Sequence, residues 1–334
     1  MNTKYYLLQE KNVKSYNDKC NDLINIHIKK YFTLVEINLE DIENFFCNII
    51  NPTIILYYHQ DHQGFGFRLF KNKILNVMNN YINENIKLYI FTFDYWYYPN
   101  NSLFNNEYNK YINNVFKATN YKVICFANNV DDINFFLDYD YSPYKDNIIF
   151  NNIWSCYETS FCEFNQNPIQ KLLISGSRAI SYYKERTIIA GIKSEYIEIY
   201  NKNMNDINII NNNYNITLNK YFSSFTSSVY VPAKNKSEFT NTHAILLKTF
   251  EILASGSLLV MPISEEKYIE KIGLKHNINC YLIDFNKNLN EQINYIFQNY
   301  DYYNNVRFKG YIYAKEYLNS EKKYIEIKNI LSIN

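Results

Sequence analysis

His243-Ala-Ile-Leu-Leu-Lys248-Thr-Phe-Glu251-Ile-Leu-Ala-Ser-Gly256-Ser257-Leu-Leu-Val-Met-Pro262 reads as a loop, a helix, a glycine stop and a buried strand. Helical spacing gathers Ile245, Leu246, Phe250, Leu253 and Ala254 on one side, and Gly256 follows the last periodic residue, where a helix commonly ends. His243 and Glu251 are eight residues apart, about 12 Å along the axis if every step is helical. Over that span two side chains can serve the diphosphate and the ribose of one ligand. The plainer reading is an amphipathic helix whose apolar side faces a core and whose Lys248 and Glu251 are solvated. The stretch by itself fits both.

Outward from this helix and strand, short β-rich runs alternate with polar-faced helical segments, the pattern of parallel sheets covered by helices. In the second half the expected strands are residues 171–175, 195–200, 228–231, 257–262 and 279–283. The expected helices there are 183–193, 216–222, 245–255, 265–272 and 289–300. In the first half the expected strands are 5–9, 31–37, 53–59, 87–93, 121–126 and 147–150, with helices at 39–50, 68–82, 106–119 and 131–137. The polar, proline-closed Glu163-Phe-Asn-Gln-Asn-Pro168 reads as the linker. The expectation is an α/β protein of two Rossmann-like, doubly wound domains facing a cleft, spanning residues 1–165 and 169–315. A charged helical segment from about 306 to 331 ends the chain, and residues 316–334 are expected to pack back on the first domain.

The 334 residues exceed the usual size of one core, consistent with two domains. With 34 basic and 33 acidic side chains the formal charge is +1, so no global field holds a polyanion and nucleic-acid binding is disfavoured. The 35 tyrosines, with abundant Asn, Ile and Lys, follow from AT-rich coding and are not read as functional. Cys20, Cys47, Cys125, Cys156, Cys162 and Cys280 are scattered without CxxC or zinc spacing, which suits a reduced, cytoplasmic protein better than a disulfide framework. The start lacks a signal peptide's apolar core, and no window holds the roughly 18 apolar residues that span a bilayer.

Three pieces of the second half carry a family resemblance. Leu172-Leu-Ile-Ser-Gly176-Ser-Arg178, followed by Tyr182-Tyr-Lys184-Glu-Arg186, resembles the first strand and basic loop of the nucleotide-binding domain of GT-B glycosyltransferases, in particular the group 1, GT4-like donor domain. His243 with Glu251 and then Gly256 is similar to that domain's donor-site pattern of His or Glu followed, after seven intervening residues, by Glu. Asn279-Cys-Tyr-Leu-Ile-Asp284-Phe with Asn288-Leu-Asn-Glu-Gln resembles its closing strand and helix. The order of elements agrees from Lys171 to about Tyr317. The resemblance implies a transferase moving a sugar from a nucleotide diphosphate donor to a hydroxyl acceptor such as a glycan, a protein or a metabolite, with no obligatory metal or other cofactor. Arg178 and Lys184 would neutralise the diphosphate, with backbone donors near Gly176 and Lys248 at the same donor site. His243 would reach a phosphate or the sugar, Glu251 would accept from the ribose hydroxyls, Gly256 would make a tight turn and Ser257 would offer a hydroxyl. The glycines and tryptophan around this His in one inverting group are missing, which leaves the stereochemical outcome open.

In the first half, Tyr57-Tyr-His59-Gln-Asp61-His62-Gln-Gly64-Phe-Gly66-Phe-Arg68 follows an apolar strand, so its polar groups belong to a carboxyl-end loop. Asp61 or His62 there suits a general base that takes the acceptor's proton, and a glycine-enabled turn with solvated charges is the competing reading. Leu69 stands where a dinucleotide fingerprint needs its third glycine, which removes that reading. His59, Asp61 and His62 lack further ligands nearby, so no metal site is expected. Asp94, between Phe93 and Tyr95 with Trp96 close by, suits a sugar-stacking loop or a capped strand end. Rival functions are a nucleotide-sugar epimerase or hydrolase on the same fold, and a non-catalytic glycan-binding or scaffold protein.

Overall fold

The computed structural model describes residues 3–10, 28–38, 40–49, 53–59, 80, 86–92, 121–125, 148–150, 162–176, 184–200, 222–231, 247–317 and 319–331. The expected helices at 68–82, 106–119, 131–137 and 216–222 lie wholly or almost wholly outside these residues. The chain divides into two compact units between Ile153 and Trp154, with residues 237–242 grouped with the first unit.

The first unit is a six-stranded, all-parallel sheet of β1 (Lys4–Glu10), β2 (Thr33–Ile37), β3 (Thr53–His59), β4 (Ile86–Thr92), β5 (Tyr121–Cys125) and β6 (Ile148–Phe150). The strand order is β2-β1-β3-β4-β5-β6. One helical turn, α1 (Lys29–Tyr31), precedes β2, and α2 (Ile42–Cys47) follows it. The strand expected from residue 31 starts only at Thr33, because Phe32 N–H still donates to Ile28 O at 2.9 Å and closes the turn.

The second unit repeats the design with β7 (Ile169–Ile174), α3 (Lys184–Ala190), β8 (Ile197–Ile199), β9 (Phe225–Val229), α4 (Leu247–Ala254) and β10 (Leu258–Pro262). After β10 come α5 (Glu266–Ile269), flanked by 3-10 turns, then β11 (Tyr281–Ile283), α6 (Leu289–Gln298), α7 (Tyr300–Tyr317) and α8 (Ser320–Leu331). Its sheet is also all parallel, in the order β11-β10-β9-β7-β8. Counted within each unit, the first sheet reads 2-1-3-4-5-6 and the second 2-1-3-4-5, the doubly wound order in which the winding reverses beside the first strand. In the second unit that switch point lies between β7 and β9, in the middle of the sheet.

β9 reads Phe-Thr-Ser-Ser-Val and is buried at every position. Its hydroxyls are spent within the sheet: Thr226 Oγ1 donates to Ile169 O (3.1 Å), Ser227 Oγ to Lys171 O (3.4 Å), and Ser228 Oγ shares a 2.9 Å bond with Ser257 Oγ. This explains how three small polar residues occupy a central strand that polarity places only at 228–231. Apolar side chains of Leu172, Ile174, Val229, Val260 and Ile283 fill the rest, with Ile293 and Ile296 of α6 packed on them.

Helix α4 ends as anticipated. Gly256 has φ +77°, Gly256 N–H donates to Leu253 O (3.0 Å) and Ser257 N–H to Ile252 O (3.2 Å), which is the Schellman pattern. The segment expected to be helical from 306 to 331 is two helices, broken before Asn319, whose Oδ1 accepts from Glu321 N–H at 2.8 Å and so caps α8.

The residues 163–168 are bonded into the second unit. Arg307, with no exposed surface, donates to Asn165 O (2.6 Å), Gly256 O (2.9 Å) and Asn304 Oδ1 (3.1 and 2.8 Å), and lies 4.1 Å from the Phe164 ring centroid. Burial lowers its pKa to about 10, so it stays charged at neutral pH. Tyr311 Oη donates to Cys162 O (2.7 Å), Cys162 N–H to Ala254 O (3.3 Å) and Asn165 Nδ2 to Ser223 O (3.1 Å).

His276 ties the entry to β11: its Nδ1 accepts from Leu282 N–H at 2.8 Å. Burial lowers its pKa below the ordinary 6.5, against a smaller opposing pull from Glu266. A group whose folded pKa is depressed contributes stability that is present above its unfolded pKa and lost as pH falls through the folded value. The second unit should therefore lose stability between about pH 6.5 and lower pH. Urea midpoints at pH 7.5 and 5.5 should differ less in His276→Gln than in the natural protein. An equal difference in both would show that this imidazole is not the source. Among the described residues no helix is long and apolar enough to cross a membrane.

Candidate functional site

In an open parallel sheet, ligands bind beyond the carboxyl ends of the strands, at the switch point. In the second unit that place is occupied by Ser175 and Gly176 after β7 and by Tyr230 and Val231 after β9. Gly176 has φ +92°, a conformation that L side chains rarely adopt. A Cβ at this position would stand 3.1 Å from Arg186 Nη1 and 3.4 Å from Lys248 Nζ. Two cationic groups from two different helices thus converge on one bare turn.

Arg186 comes from α3 and is 4% exposed. Its Nη2 donates to Val231 O at 3.1 Å, so the guanidinium bridges the switch point from the end of β9 to the turn after β7. Lys248 comes from the first turn of α4 and is half-buried, with Nζ 5.8 Å from the Phe222 ring centroid. Glu251 lies three residues further along the same helix, on the face that Lys248 shares. It is only 4% exposed, and its carboxylate makes no hydrogen bond or ion pair among the described residues. Ser175, just before Gly176, is 2% exposed, and its Oγ is buried without a hydrogen-bond partner.

Gly176, Lys248 and Glu251, singled out from the sequence, are therefore found on the same side of the second sheet, at or one turn below its carboxyl edge. Lys184 is not with them. It opens α3 and is exposed, while Arg186, two residues on and about 200° further round the helix, points the opposite way and supplies the cation. Gly256 and Ser257 stand at the other edge of the sheet, at the amino end of β10, about 16 Å of strand from its carboxyl end. Ser257 Oγ is engaged there with Ser228 Oγ (2.9 Å) and Phe225 O (3.3 Å), and Gly256 O with Arg307. They hold the fold together, and a ligand seated over Gly176 does not reach them. Asp61, His62, Asp94, Arg178 and His243 lie outside the described residues. No cluster of three or more metal-capable side chains occurs among the described residues.

No family model matches the chain, and no curated protein matches it by sequence. Solved structures do. An alpha-glucosyltransferase in complex with UDP-glucose and DNA containing an abasic site superposes with a TM-score of 0.58 at 12% identity, over 99% of this chain and 100% of its own. Anabaena Alr3699/HepE in complex with UDP superposes with a TM-score of 0.58 at 9% identity, over 98% of this chain and 99% of its own. A glycosyltransferase from Rickettsia africae follows with 0.52 at 12% identity, over 99% and 98%. The chain spans about three fifths of the length of two larger matches, 59% of TarM and 60% of a GtfA/B chain, at TM-scores of 0.49. At such identities the common property is architecture: the chain has the GT-B fold, two Rossmann-like α/β domains, of these glycosyltransferases.

Proposed function

We propose that this chain is a glycosyltransferase that binds a nucleoside diphosphate sugar on its second unit and transfers the sugar to a hydroxyl of an acceptor. The observation that carries this is the convergence of Arg186 and Lys248 on Gly176 at the switch point, with Glu251 one helical turn from Lys248. Two fixed cations suit a diphosphate, and a carboxylate acceptor suits the vicinal hydroxyls of a ribose. During transfer, negative charge grows on the departing diphosphate, and cations already in place stabilise it without reorganisation. With side chains meeting that charge, no metal ion is obligatory. Arg178 and His243 join the donor side, and Asp61 or His62 takes the acceptor's proton. The acceptor is a glycan, a protein or a small metabolite, and the scattered cysteines fit work in the reducing cytoplasm.

The test is a calorimetric and thermal-shift titration with UDP, GDP, ADP, CDP, dTDP and their sugars. A ligand at about 100 times its Kd adds about 2.7 kcal/mol to stability, so binding is visible as a raised midpoint. Glu251→Ala is expected to bind the preferred nucleotide at least tenfold more weakly while remaining folded, as for the loss of hydrogen bonds to a charged group. No shift with any nucleotide, in a folded sample, would remove the donor site from the reading. With the donor known, an acceptor panel of oligosaccharides, peptides and small alcohols follows. Donor cleavage without any acceptor would instead indicate a hydrolase or epimerase.

A further inference from the structure

We infer that Ser175 is a ligand-binding residue of this site, its hydroxyl donating a hydrogen bond to an oxyanion of the diphosphate over Gly176. This rests on the nucleoside-diphosphate reading above and adds a neutral donor to the two cations.

Four hydroxyls buried in the second sheet, on Thr226, Ser227, Ser228 and Ser257, find an acceptor or share a bond. Ser175 Oγ, equally enclosed at the end of β7, has none. A buried hydroxyl left unpaired weakens the free protein, and a small apolar side chain of similar size would not. Thr249 Oγ1 is unpartnered too, but it lies inside α4 and a step round from Lys248. Ser175 differs because of what adjoins it. The next residue turns at φ +92°, carries no side chain, and has a guanidinium and an ammonium within 3.4 Å of where a Cβ would be. Its Oγ can turn to another staggered position about the Cα–Cβ bond, and the two cations beside residue 176 draw an oxyanion to the turn that it adjoins. A hydroxyl is suited to this position because it donates to an oxyanion without adding a further charge to be neutralised in the empty state.

The chemistry predicts opposite effects on the empty and the occupied protein. Full-length Ser175→Ala should unfold at the same temperature as the natural protein or slightly higher. Its Kd for the nucleoside diphosphate selected from the UDP, GDP, ADP, CDP and dTDP panel should rise roughly tenfold or more, as for a hydrogen bond to a charged acceptor. Its affinity for the corresponding nucleoside, which lacks the diphosphate, should not change. Ser175→Thr, which keeps the hydroxyl, should retain most of the diphosphate affinity. If Ser175→Ala binds the diphosphate as the natural protein does, the inference is wrong while the donor site stands. A lowered midpoint in Ser175→Ala would make the hydroxyl structural and would equally overturn it. If the natural protein binds no member of the panel, it is the donor-site reading that fails first.

Discussion

Arg307→Met is expected to destabilise the second unit by about 3–5 kcal/mol, the range for removing one member of a buried, charged hydrogen-bond set. Methionine fills much of the space but donates nothing. The change strands Gly256 O at the end of α4 and Asn165 O in the segment before β7, two carbonyls that Arg307 reaches at 2.9 and 2.6 Å. It also removes the cation from the Phe164 ring. Arg307→Lys should recover little, because one ammonium cannot serve two carbonyls and the Asn304 amide oxygen in the fork geometry of a guanidinium. The urea midpoint followed by circular dichroism measures both variants. A loss below about 1 kcal/mol in Arg307→Met would mean that the neighbours reorganise or that water enters to satisfy the carbonyls.

Gly310→Ala carries the second large effect, and it runs against helix propensity. Alanine is favoured over glycine by about 1 kcal/mol in a helix interior, and Gly310 is in the interior of α7. Yet a Cβ there would stand 2.6 Å from Asn279 O and 2.9 Å from Leu253 Cδ2. Leucine can shift its methyl. The carbonyl of Asn279 is less free, because the side chain of that residue accepts from Lys275 N–H (2.7 Å) and donates to Gly273 O (3.0 Å). The helix must move away from the loop and from α4. A net loss of about 1–3 kcal/mol is expected, as for other overpacked sites, and thermal unfolding reads it directly. A gain in stability would show that the loop yields easily.

The strands built from β-branched and aromatic runs were legible because a parallel strand buried on both faces is close to continuously apolar. β9 was not, except at its end, because the reasons for Thr226, Ser227 and Ser228 are their partners on β7 and at Ser257, distant in sequence. The helix stop at Gly256 was legible as local chemistry, whereas the break at Asn319 was hidden in a polar stretch whose helical periodicity continues on both sides. At the site, Gly176, Lys248 and Glu251 stood out by their spacing around recognisable elements. Lys184 and Arg186 both fit a basic loop, and only the phase of α3 decides which one turns inward. Ser257 follows its glycine closely enough to look like part of a site, but the strand that starts there runs the whole depth of the sheet before reaching the ligand edge. Ser175 lies within the stretch from Leu172 to Arg178 without standing out from it, since an unpaired hydroxyl is visible only once its surroundings are known.

The bonds that Arg307, Tyr311 and Asn165 make to the stretch before β7 bear on how this gene can be divided. A fragment begun at Ile169, where the sheet starts, would leave out Cys162, Phe164 and Asn165, and with them an aromatic face and two backbone acceptors of the helix that follows β11 and α6. A fragment begun upstream of Cys162 keeps them. The boundary useful for separate expression, for swapping halves with a protein of the same fold or for inserting a tag is therefore set by long-range bonds to α7 rather than by the proline that punctuates the sequence.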